Sequence, residues 1–93
     1  MAFVIVESNV KNQELLQQYG QQAGKTVAKF GGKFLAKGPA ESLHGKSRFA
    51  NRAVIEFSSV AQAQSWYNSD EYQVLIELRE QAIESRFVVT NSI

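Results

Sequence analysis

Apolar positions along this chain switch between two spacings, and the switches mark out its elements. Phe3 to Ser8, FVIVES, is β-branched and aromatic and predicts a first strand. Beyond Asn12 the spacing becomes helical: Leu16, Tyr19, Ala23, Val27 and Phe30 share one face that carries no charge. Asn12 can cap that helix, and Glu14 lies in the first turn, where the dipole favours an acid. Gly31 and Gly32 stop it, because glycine tolerates the left-handed geometry of a helix end.

KFLAKG, Lys33 to Gly38, predicts a second strand that Gly38-Pro39 breaks, and ESLHGKSRFAN fits a wide, polar hairpin. RAVIEF, Arg52 to Phe57, predicts the third strand. Ser59 and Gln62 have the spacing of a capping box, so a second helix starts at Val60, with Val60, Ala63 and Tyr67 on its inner face. Trp66 falls about 100° round from Tyr67 and is expected at an edge or towards a partner. In WYNSDEYQ, Asn68 and Glu71 repeat the capping spacing, with Ser69 as a competing cap, so the helix breaks near Asn68 and a new one runs to about Glu84. SRFVVTNS, Ser85 to Ser92, predicts the last strand.

The resulting order β-α-β-β-α-β predicts a ferredoxin-like α+β sandwich, with four strands covered on one face by the helices, in a single domain spanning residues 1–93. Helices on one face leave the other open, yet FVIV, AVI and FVV are continuous apolar runs that suit strands covered on both sides. A second copy of the chain, packed sheet to sheet in a two-fold dimer, is the expected cover.

Composition narrows the chemistry. Ten Lys plus Arg stand against nine Asp plus Glu, with no basic stripe, so no nucleic-acid partner is expected. The absence of cysteine removes thiolate catalysis, thiolate zinc sites and iron–sulfur clusters, and a lone histidine, His44, falls short of a metal site, so no metal or cofactor is expected. The first residues are apolar for too short a run to form a signal sequence, and no run spans a membrane. The expectation is a soluble, cytoplasmic protein.

Residues that break the pattern are the candidate site. Arg79 falls among Tyr72, Val74, Leu75, Ile76, Leu78, Ala82 and Ile83 on the apolar arc of the last helix, opposite Gln73, Glu77, Glu80, Gln81 and Glu84. Its stem covers apolar surface while its head reaches water, or it clamps an anion in a pocket. Glu56, between Ile55 and Phe57, either pairs with Arg79, Arg52 or Lys37, or stays unpaired and serves as a general base. Tyr19, Tyr67 and Tyr72 point inward by spacing.

VIVE, FGGKFLAKG, RAVIEFSSVAQAQSWYNSDEYQ and the following LRE resemble the domain of unknown function thirteen-thirty, a family of small bacterial proteins in the dimeric α/β-barrel superfamily. The resemblance covers essentially the whole chain and is most specific at WYNSDEYQ with Arg79 downstream. It departs at Lys37, where relatives often have Arg, at Asn12-Gln13 in place of Asp-Pro, and at His44, where an acid is common. The resemblance implies a ferredoxin-like subunit in a dimer with facing sheets. The wider superfamily holds cofactor-independent monooxygenases, haem-degrading enzymes, lactone isomerases and stress-responsive proteins, many with a cavity between sheet and helices.

Three readings compete. One is an enzyme of monooxygenase or isomerase type acting on a small aromatic molecule, with Tyr19, Trp66, Tyr67 and Tyr72 lining a cavity. There Arg79, Arg52 or Lys37 holds an anionic group, and Glu56 or a tyrosine moves protons. The second is a module that binds such a molecule without turnover. The third is a structural or regulatory dimer with no pocket.

Overall fold

A computed structural model describes all 93 residues, as β1 (Ala2–Val10), α1 (Gln13–Lys29), β2 (Lys33–Pro39), β3 (Asn51–Phe57), α2 (Val60–Asn68), α3 (Asp70–Gln73), α4 (Ile76–Ala82) and β4 (Ile83–Asn91). The strands form one antiparallel sheet in the order β2-β3-β1-β4. This is the ferredoxin-like arrangement that the element order implies.

Local chemistry sets the boundaries. Asn12 Oδ1 accepts from the Leu15 amide at 3.0 Å and opens α1. At its far end Gly31, with φ +77°, donates to Ala28 O and Gly32 donates to Val27 O, the paired bonds of a Schellman ending. Gly32 then passes under the core: a Cβ there would lie 2.6 Å from Phe57 and 2.7 Å from Val27. Gly32→Ala is expected to cost about 1–3 kcal/mol of stability through overpacking. Urea unfolding checks this, and an unchanged midpoint would mean that the loop yields freely.

The helices cover one face of the sheet. Val4, Val6, Ile55 and Phe57 meet Tyr19, Ala23 and Val27 from α1, Ala63 and Trp66 from α2, and Tyr72 and Leu75 beyond it. The opposite face is open and runs in three rows across the strands. Ala36, Val54, Ile5 and Val88 form an apolar central row. Lys33, Glu56, Phe3 and Thr90 lie on one side of it, and Gly38, Arg52, Glu7 and Arg86 on the other. Alternation within β1, β3 and β4 therefore puts apolar side chains on both faces, as the continuous apolar runs require.

The edge strand β2 carries an irregularity at Leu35, between Phe34 and Ala36, and ends at Pro39. Exposed ion pairs tie connections down: Lys29 of α1 reaches Glu71 of α3, and Arg48 of the β2–β3 loop reaches Glu84 of β4 at 2.6 Å. The Lys29 hydrogen bond holds the Glu71 carboxyl below its usual pKa, as those from Asn9 and Arg48 hold Glu84. Their contribution is present above the usual carboxylate range and is lost on acidification, and exposure keeps it small.

Three expectations are corrected. Ser69, not Asn68, caps the helix after the break: its Oγ accepts from the Tyr72 amide at 3.2 Å and donates to Trp66 O at 2.7 Å, closing α2 and opening α3 together. The last helix does not run unbroken to Glu84. Leu75 N bonds back to Tyr72 O, three residues away rather than four, and this tighter turn separates α3 from α4, while Tyr72, Leu75, Arg79 and Ala82 keep helical spacing on the buried side. Val74, about 200° round from buried Tyr72 at the margin of the apolar arc, is 73% exposed, and Ile83 and Glu84 already belong to β4. Trp66 is the third correction. It lies in the core at 1% exposure, because Ala63 and Trp66, three apart, set the inner face of α2 and Tyr67 sits on its flank.

Candidate functional site

Between α2 and β4 the layers do not close. A half-open cavity of about 390 Å³ remains, walled by the rings of Trp66, Tyr67 and Phe87 and edged by the polar side chains of Gln64, Asn68 and Ser85. Arg79 enters it from α4 and is the one charged residue in its lining.

The aromatic wall is fixed from behind. Trp66 packs on Phe57 and Tyr72, with ring centroids 5.4 and 4.6 Å away. Its Nε1–H donates to Thr26 Oγ1 at 2.9 Å, and that hydroxyl donates to Ala23 O at 2.7 Å. A buried indole N–H with a partner locks the ring orientation. Phe87 comes from β4, and Tyr67 meets it edge-on at 5.8 Å.

Arg79 is 8% exposed, and its donors are mostly engaged. Nη1 donates to the Tyr67 hydroxyl at 3.0 Å and to the Tyr72 hydroxyl at 3.2 Å. Nε and Nη2 donate to Glu80 Oε1 at 3.2 and 2.8 Å. The guanidinium lies 5.0 Å from the Phe87 centroid and 5.8 Å from that of Tyr67, within reach of their π faces. Tyr72 in turn shares a 2.6 Å hydroxyl–hydroxyl bond with Tyr19. The result is a chain running Tyr19–Tyr72–Arg79–Tyr67, from the core to the cavity.

The protonation of this chain follows from burial and partners. Burial pushes the Tyr19 hydroxyl well above its usual pKa, with the neighbouring Tyr72 adding to it. Burial also raises Tyr72, against the opposing hydrogen bonds from Tyr19 and Arg79. For Arg79 burial works against the charge, but the hydrogen bonds to Tyr67, Tyr72 and Glu80 outweigh it and hold the guanidinium above its ordinary pKa. Near neutral pH, Tyr19 and Tyr72 keep their protons and Arg79 keeps its charge.

Of the residues singled out by sequence, Trp66, Tyr67 and Arg79 line the cavity, while Tyr72 and Tyr19 stand behind it. The head of Arg79 does not simply reach water, since the tyrosines hold it. Lys37 lies on edge strand β2, 5.8 Å from the Phe34 ring. Arg52 pairs with Glu7 at 3.2 Å on the open face. Glu56 is on that open face too, cross-strand from Phe3 and Lys33 and without an ion pair, so the sheet separates it from Arg79. His44 is exposed in the β2–β3 loop. Phe87 and Ser85 join the site as well, and the alternation of β4 puts both on the helix side. Gln64 and Asn68 carry no signal in the sequence.

No group of three or more His, Cys, Asp and Glu side chains is positioned to hold a metal ion. No helix is long and apolar enough to cross a membrane.

Solved structures share this fold at low identity. A Rhodopseudomonas palustris protein of unknown function is 18% identical with a TM-score of 0.80, over 99% of this chain and 82% of that one. A Nitrosomonas europaea protein described as a candidate antibiotic biosynthesis monooxygenase is 9% identical, with a TM-score of 0.62 over 100% of this chain and 99% of that one. A Bacteroides fragilis protein of unknown function, described as dimeric and ferredoxin-like, is 10% identical with a TM-score of 0.55, over 98% of this chain and 95% of that one. At such identities the likeness carries the fold alone. No curated protein matches the chain in sequence. A family model does: residues 1–93 match the domain of unknown function DUF1330, and the chain belongs to that family.

Proposed function

We propose that the protein binds a small, flat, anionic organic molecule in the cavity between α2 and β4, as a homodimer joined through the open faces of its sheets. The observation that carries the ligand reading is Arg79, the one charge lining a cavity of about 390 Å³ whose other walls are mostly aromatic and aliphatic, with Gln64, Asn68 and Ser85 at the edge. A mostly apolar cleft with few convergent polar groups is the usual form of a small-molecule site. Glu80 pairs with Arg79 from outside the lining, an anion would take up the guanidinium hydrogen that this pair leaves over, and the rings of Tyr67 and Phe87 favour a planar body.

The dimer reading rests on the central row Ala36, Val54, Ile5 and Val88, an apolar stripe that crosses all four strands with no element over it. The charges flanking the stripe have mixed sign, with Glu7, Arg52 and Arg86 on one side and Lys33 and Glu56 on the other. A two-fold axis at the centre of such a face brings the stripe onto its own copy.

Binding is favoured over turnover. The carboxylate candidate for general base, Glu56, lies across the sheet from the cavity, which leaves only hydroxyls such as that of Tyr67 beside the ligand to move protons. A purely structural dimer is disfavoured by the cavity itself. The binding proposed needs no metal or cofactor.

Native mass spectrometry of freshly purified protein tests both parts. A dimer that releases a discrete acidic small molecule on mild activation is the expected result. A monomer would remove the sheet-to-sheet interface. A dimer without adduct, whose Trp66 emission ignores added aromatic acids, would leave the tyrosine–arginine chain with a structural role alone.

A further inference from the structure

Nη1 of Arg79 carries two hydrogens and makes two bonds, one to each of the Tyr67 and Tyr72 oxygens. At Tyr67 the oxygen is therefore an acceptor, and its own hydrogen has no acceptor in the protein. On Nη2 one hydrogen goes to Glu80, which leaves the other without a protein partner. Both residues line the cavity. Two lining residues thus keep one spare hydrogen each, on the Tyr67 hydroxyl and on the Glu80-paired guanidinium of Arg79, and no carboxylate in the lining competes for them.

Resting on the binding reading above, we infer that Tyr67 is a specificity-determining residue. Together with Arg79 it selects ligands that present acceptor-only oxygens, a carboxylate or a conjugated enolate, over neutral molecules of the same shape. The hydroxyl of Tyr67 is held in its donor role by Arg79. Arg79 is held by Tyr72 on one side and Glu80 on the other, and Tyr72 is braced by Tyr19 at 2.6 Å. Tyr72 and Tyr19 are positioning residues in this scheme. A ligand oxygen that is itself protonated, or an amide N–H₂, brings a donor to a wall of donors and leaves hydrogens unpaired there, which is the source of the discrimination.

Two probes of the same shape separate the possibilities: 2-naphthoate and its neutral amide, 2-naphthamide, titrated against the full chain with Trp66 emission as readout. Wild type is expected to bind naphthoate more tightly than naphthamide. Tyr67→Phe, which deletes only the hydroxyl, is expected to weaken naphthoate about tenfold, the scale of one hydrogen bond to a charged group. It should change naphthamide little, so the preference narrows. Retained naphthamide binding reports that the variant's cavity is intact. Arg79→Gln is expected to abolish the preference altogether.

If naphthoate binds wild type and Tyr67→Phe keeps both its affinity and its preference, the inference is overturned and the binding reading stands. If neither probe perturbs wild type, the binding reading fails and the inference falls with it.

Discussion

Trp66→Ala is expected to lower the unfolding free energy by about 3–5 kcal/mol, the range for truncating a large buried aromatic. Only 16 of the 93 residues are buried, so each large side chain in the core carries a large share of the stability. A domain of this size has roughly 5–14 kcal/mol in total at the usual per-residue scale. Trp66 is among the largest fully buried side chains, together with Tyr72, Phe57 and Val27. It contacts the sheet through Phe57, α3 through Tyr72 and α1 through Thr26, so its removal loosens three elements at once. Denaturant unfolding at fixed protein concentration reads the loss. Trp66→Phe keeps a ring and leaves Thr26 its bond to Ala23 O, so it should cost clearly less. A cost below about 1 kcal/mol for the alanine variant would mean that the neighbours collapse into the space, which the open cavity alongside makes difficult.

Val54→Lys is expected to convert the proposed dimer into a folded monomer. Val54 stands in the middle of the open face, paired across the strands with Ile5 and Ala36. In an isolated subunit a lysine there lays its stem on the sheet and keeps its ammonium in water, at little cost. Across a two-fold interface the same change brings two like charges into a desolvated contact, which costs several kcal/mol. Light scattering coupled to size exclusion separates the outcomes. A variant that keeps the dimer mass would show that the contact lies elsewhere, and a variant that unfolds would show that the subunit depends on its partner for stability.

The ferredoxin-like order was legible because the first helix is strongly periodic, the strands are compact β-branched runs, and both are properly punctuated. Asn12, Ser59 and the Gly31-Gly32 pair mark ends through local hydrogen bonds that need no tertiary context. The site was only half legible, because spacing along the chain does not name the partners of a buried charge. Val74 sits at the margin of the apolar arc, where spacing alone does not decide burial, and it is exposed. Arg79 stood out as a charge on an apolar arc, but nothing along the chain says that its partners are hydroxyls rather than a carboxylate. Glu56 was eye-catching for the same reason as Arg79, an acid between two apolar residues. Strand alternation on a sheet with one open face accounts for it, without placing it near the cavity.

The two edges of the sheet are unlike, and this affects how the protein can go wrong. An exposed edge invites another chain to add a strand, and such growth continues only if every added unit presents a fresh edge. Along β2 the irregularity at Leu35, the lysines Lys33 and Lys37, and the terminal Pro39 interrupt a regular ladder. β4 has none of these: Ile83 to Asn91 contains no proline and pairs with β1 in unbroken register. A stray strand can therefore dock on β4, but a second subunit offers β2 a poor template. Head-to-tail stacking into fibrils is blocked on one side while the other edge stays open.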